Sequence, residues 1–235
     1  MSSDLAVPSP SERLRAKVRV AEPRLNSVAE AFWTHPCLAE LYPEFLFLVH
    51  SMIRASVPML YAASRECRAQ AHDDDVAAQL ADYYARHAKE ETGHDEWLLD
   101  DMRVLGLDRA SVLARLPSVT VASLVGAHYY WIHHVHPVSL MGYLAVLEGN
   151  PPLVEQLEEF QVRTGLPAAA FRTLVKHAHI DVGHRRDINR QIDRLSLTPR
   201  LASLLTLSAL HTVDMVADAI ENLLPDSAHQ VRGQA

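Results

Sequence analysis

The chain has 235 residues, 49% of them hydrophobic, with 8 glycines and 2 cysteines. That is enough for one domain with a proper core, and too apolar for a disordered chain. The 22 basic and 29 acidic residues leave a net charge of -7 with no basic stripe, which argues against nucleic acid as a partner. Cys37 and Cys67 lie far apart, without the CxxC spacing of a thiolate metal site, so a reducing cytoplasm is the expected compartment.

Residues 1–11 read as a polar tail without the charged and apolar regions of a signal peptide, and 226–235 as a second tail. Between them, 12–225 reads as a single domain with no linker. Helical periodicity and stop signals predict helices over 12–34, 38–66, 72–105, 108–115, 119–149, 151–163, 167–195 and 198–224. Gly106 follows the third and Pro117 precedes the fifth. The run Gly149-Asn150-Pro151-Pro152 stops the fifth. No alternating strand segment competes, so the fold class is an all-α helical bundle with sites built inward from facing helices. The apolar stretch from Phe45 to Ala63 contains His50, Arg54 and Pro58, and reads as a core helix rather than a membrane span.

Within that stretch Arg54 interrupts an apolar run. A buried guanidinium there needs an anion, either an internal acid or a substrate carboxylate, and His50 one turn earlier shares its face. Arg54, His50 and Tyr84 are thus candidate substrate contacts, and Tyr83 beside Tyr84 is a further residue able to line a pocket. His128, His133, His134 and His136 scatter around one helix and read as core and surface residues.

The third and seventh predicted helices carry the chemistry. One contains His87-Ala-Lys-Glu-Glu91-Thr-Gly-His94, the other His177-Ala-His-Ile-Asp181-Val-Gly-His184: a shared His-Ala-x-x-acid-x-Gly-His. On a continuous helix, offsets of four and seven residues bring three side chains within a sector of roughly 60°. Each helix thus presents a strip of imidazole, carboxylate and imidazole, set among Leu98, Leu99, Ile180 and Val182. The glycine before each final histidine leaves room for a neighbour to approach. Imidazole with carboxylate suits iron, manganese or zinc. Glu148 closes an apolar run just before a stop signal, at the negative end of a helix dipole, where a carboxylate is unfavourable unless a cation compensates.

Glu91-x-x-His94, a lone Glu148 and His177-x3-Asp181-x2-His184 resemble the ligand pattern of the heme-oxygenase-like di-iron oxidases and oxygenases. The resemblance, with the His35-Pro36 lead-in to the long apolar helix, spans most of the chain. It implies a heme-oxygenase-like seven-helix bundle, with Glu91, His94, Glu148, His177, Asp181 and His184 holding two Fe(II) ions. His87 lies outside the usual six and is expected to be an outer partner or an extra ligand. The resemblance further implies O2 as co-substrate and N-oxygenation or oxidative C–C cleavage of a small amino-acid-like or carboxylate-bearing molecule, in natural-product biosynthesis. The expected state is a monomer or homodimer without a membrane partner. Two other readings carry less: a helical metal-dependent phosphohydrolase using His94-Asp95 or His72-Asp73, and a non-enzymatic bundle that binds metal or heme.

Overall fold

Several helices in the computed structural model, which describes residues 7–149 and 152–225, start on a local capping interaction. Helix α1 (Pro10–Trp33) opens with a reciprocal cap in which Ser9 and Glu12 bond each other's backbone amides. The long α2 (Leu38–Gln70) follows a turn in which Cys37 N–H donates to His35 Nδ1. Asp74, Asp108, Ser118 and Thr198 cap α3 (Asp75–Glu91), α5 (Arg109–Ala114), α6 (Val119–His134) and α10 (Pro199–Glu221). The set is completed by α4 (His94–Val104), α7 (Ser139–Leu147), α8 (Val154–Thr164), a 3-10 turn at Ala168–Ala170 and α9 (Arg172–Arg194).

Two predicted helices are each split. The helix expected over 72–105 breaks at Thr92-Gly93, where Gly93 has φ 92°, so His94 opens a new helix instead of continuing the old one. The helix expected over 119–149 breaks at 135–138, where Pro137 cannot continue an α-helical hydrogen-bond ladder. His136 staples that second break: its Nδ1 accepts from Val138 N–H, and its Nε2 lies 3.1 Å from Oδ2 of Asp74, the residue that caps α3.

Helix α2 is the central post, packed against α3, α4 and α6; α10 packs on α1, α6 and α7, and α9 bridges α1, α4 and α7. A close approach occurs at Gly142 of α7, where a side chain would meet the backbone of Leu205 and Ala209 on α10. By length and hydropathy α2 and α10 resemble membrane-crossing helices, but half of each apolar stretch is buried inside the protein. This packing carries the end of α3, the start of α4, the end of α7 and the middle of α9 to one place.

Candidate metal centre

Six carboxylate and imidazole side chains from these four helices converge, together with His87. The ligand atoms of His87, Glu91, Glu148 and His184 lie within 4.8 Å of one another, and so do those of Glu91, His94 and His177. Glu91 belongs to both groups. His184 Nδ1 stands 3.0 Å from Glu148 Oε2, 3.5 Å from Glu91 Oε1 and 3.7 Å from Asp181 Oδ1, and His94 Nδ1 is 3.0 Å from Glu91 Oε2. Asp181 belongs to neither tight group but adjoins both through His184 and a shared cavity.

The break at Gly93 makes the second group. A straight helix would have sent His94 along the strip of α3; here it turns beside His177, ring centroids 5.0 Å apart, and stacks on Trp97. The glycines do not admit a close neighbour, since the space beside Gly93 and Gly183 is open. Gly93 supplies a positive φ instead. His177 is oriented from behind: its Nδ1–H donates to Thr173 O at 3.0 Å, which leaves Nε2 as the free lone pair.

Whether these residues fit a metal is decided by their unmade hydrogen bonds. Glu91 Oε1, His94 Nδ1, Glu148 Oε2, His177 Nε2, Asp181 Oδ1 and His184 Nδ1 are all buried without a well-directed hydrogen bond, although His184 Nδ1 and Glu148 Oε2 face each other at 3.0 Å. An unsatisfied buried polar atom costs about 1–3 kcal/mol, and more when charged. Six in one place, all on groups that donate lone pairs to metals, fit a cation that takes those lone pairs; oxygen and nitrogen donors without thiolate suit iron.

The electrostatics of these side chains agree. Burial works to raise the Glu148 carboxyl, yet His184 and His87 overcome it and hold it down at about 2. Burial likewise opposes protonation of His184, but Glu148, then Glu91 and Asp181, lift it to about 9. Asp181, with burial first and the Glu148 charge second, is pushed up to about 8. Protons on imidazoles and on one carboxyl thus do the neutralising that a metal would do.

His87 is deeper in the site than its sequence rank suggested. Its Nε2 lies 3.0 Å from Glu148 Oε1, its Nδ1 lies 3.5 Å from Glu90 Oε2, and its ring stacks on Tyr83. The other expectations divide. Tyr84 is wholly buried and its hydroxyl donates to Pro137 O, so it ties α3 to the α6–α7 break. Arg54 is exposed, not buried, because α2 presents that face at the surface. His50 is buried, but it lines a cavity with Arg54 that contains none of the six candidate ligands. Val182, expected among the apolar neighbours, is 43% exposed. His72 and Asp73 point into solvent, and Asp95 joins neither ligand group.

A cavity of about 200 Å³ opens on Glu91, Glu148, His177 and Asp181. Its other wall is Val49, Met52 and Ile53 of α2 with Leu174 of α9, and its hydroxyls are Ser56 and Tyr143. Tyr143 Oη lies 3.4 Å from Ser56 Oγ. Sequence reading missed Ser56 and Tyr143; the available signal was that 49, 52, 53 and 56 share one face of a helix.

Residues 49–217 match the sequence profile of the iron-containing redox enzymes. The chain belongs to that family. Solved structures agree on the fold at low identity. A domain of unknown function with a heme oxygenase-like fold from Shewanella denitrificans shares 17% identity over 95% of this chain and 93% of its own, with a TM-score of 0.74. A TenA homologue from Pseudomonas syringae pv. tomato gives 11% identity, 94% and 97% coverage, and 0.71. A CADD-like protein of unknown function from Nostoc punctiforme gives 14%, 90% and 96%, and 0.62. No curated protein matches the sequence. An iron-containing redox enzyme with a heme-oxygenase-like all-α fold is therefore what the chain is, and the His/Glu cluster is its candidate metal site.

Proposed function

We propose that the protein is an O2-dependent oxidoreductase that holds two ferrous ions, one in the His87/Glu91/Glu148/His184 group and one in the Glu91/His94/His177 group. Asp181 serves the first through its place beside His184. The observation that carries this reading is the sharing of Glu91, since a carboxylate common to two ligand groups suits a pair of ions better than one. Ferrous ions supply the electrons and open coordination positions with which dioxygen is reduced.

The chain's own residues do the rest. Val49, Met52, Ile53 and Leu174 exclude water from the side of the site that opens on the cavity, and Thr173 O fixes the ring of His177. The cavity suits a small substrate with an apolar body. No Lys or Arg lines it among the described residues, and its carboxylates are the ones that would hold the ions, so their charge would be taken up by the metal and does not select between an amine and an acid as the substrate's polar end. The reading keeps N-oxygenation or oxidative C–C cleavage of a small amino-acid-like or carboxylate-bearing molecule, a chemistry at home in natural-product biosynthesis. A substrate carboxylate held by Arg54 is not part of the proposal, because Arg54 lines a different cavity.

Anaerobic ferrous titration should saturate at two ions per chain in the wild type and at fewer in Glu91→Gln. Oxygen uptake should depend on an added small amine or amino acid, with the product identified by mass. Saturation at one ion per chain, or tight zinc with no oxygen uptake, would overturn the reading.

A further inference from the structure

The two cavities beside α2 lie on opposite faces of that helix. Positions 49, 52, 53 and 56 face the ligand side, whereas 47, 50, 51 and 54 line a cavity of about 340 Å³ that α5 and its following loop close with Val112, Arg115 and Pro117. At about 100° per residue the two stripes are separated by roughly 160°.

We propose that this second cavity is a binding site for a small oxyanion, a phosphate- or carboxylate-bearing molecule, distinct from the ligand-side cavity. Three observations carry it. His50 is 2% exposed and both of its ring nitrogens lack a partner. A neutral imidazole always carries one N–H, so a donor is buried there with nothing to accept it, and the cavity that His50 lines is where an acceptor can enter. Arg54 pairs with no described side chain, so its guanidinium is free to take an anion. Arg115 lies flat over the Phe47 ring, 3.8 Å from its centroid, and pairs with Glu44; that fixes its fork and leaves further N–H groups unspent.

The surrounding acids are accounted for. Glu44 is taken by Arg115 and Glu96 by Arg109, which leaves Asp95, whose charge acts on His50, as the nearby carboxylate without an ion pair among the described residues. An occupant bound between Arg54 on α2 and Arg115 after α5 would tie the α5 segment to the helix whose other face forms the substrate wall. The proposal does not depend on the identity of the metal or on the number of ions.

Calorimetric titration of the purified full chain with inorganic phosphate, and separately with succinate, at constant ionic strength against chloride, tests it. Saturable binding of one of the two is expected, weakened about tenfold or more by Arg54→Gln, as loss of a charge-assisted contact requires. The ring resonances of His50 should shift during the same titration, and ferrous stoichiometry should be equal in wild type and Arg54→Gln. The anion that saturates names the ligand class. Absence of saturable binding with either anion, equal binding by Arg54→Gln, or a silent His50 ring would each overturn the proposal.

Discussion

Asp181 should be a residue that the metal-free protein is more stable without. In the unfolded chain its carboxyl titrates near the ordinary Asp value of about 3.9, whereas in the fold burial and the Glu148 charge push it up to about 8. At neutral pH the folded protein holds it protonated and the unfolded chain does not. The gap of roughly three pH units, at about 1.4 kcal/mol each, sets a ceiling near 4 kcal/mol of destabilisation. The sign follows from proton uptake: the folded state binds the extra proton, so this contribution improves as pH falls from about 8 towards 4. Asp181→Asn keeps the shape and removes the titration. Allowing for the offsetting His184 imidazole, the chelator-treated variant should be more stable than wild type by about 1–3 kcal/mol at neutral pH, with the difference vanishing near pH 4. The same variant should lose at least one iron in a ferrous titration. Urea denaturation followed by circular dichroism across that pH range measures the first effect. A variant less stable than wild type at neutral pH, or a gap that does not close on acidification, would refute the reasoning.

Gly93→Ala should strain a residue at φ 92° without any steric clash, at about 1–2 kcal/mol, and ferrous titration should show the Glu91/His94/His177 ion weakened before the other. Asp101 is 1% exposed and accepts from Thr173 N–H at 2.8 Å, capping the helix that carries three candidate ligands; Asp101→Ala should cost about 1–3 kcal/mol in urea denaturation. His128, held down at about 3 by burial and then by His211, contributes stability that is lost as pH falls below about 6.5, so wild type should lose about 2 kcal/mol between neutral pH and pH 5 on its account. His128→Gln should remove that share of the loss in the same assay.

The all-α class, and the carboxylates and imidazoles that gather as candidate ligands, were legible because both rest on helical periodicity and residue type, which are local. The breaks were not. Thr92-Gly93 sits inside a run whose periodicity reads as one helix, and only tertiary contacts decide whether a glycine there is tolerated in a helix or used to leave it. Pro137 was visible as a helix breaker, but the stapling of its break by His136 to Asp74 spans 62 residues and has no sequence periodicity. Arg54 was misjudged for a related reason: an arginine inside an apolar run reads as buried, yet a helix that faces three neighbours still shows one edge to water.

The duplicated strip is also less symmetric than its sequence suggests, and the asymmetry has a physical cause. On α9 the helix is unbroken, so His177, Asp181 and His184 stay on one face and extend along both ligand groups. On the other strand of the pattern the helix ends after Glu91, so His87 and His94 part company: His87 stays beside Glu148 and His184, and His94 swings to His177. One straight strip against one broken strip leaves Glu91 at the hinge, where its two oxygens face different groups: Oε2 towards His94, Oε1 towards His184. Two straight strips would have stacked like against like and offered Glu91 to one side only. The break at Gly93 is therefore part of the site's construction, and it is the reason a repeated motif yields two unequal groups joined by one carboxylate.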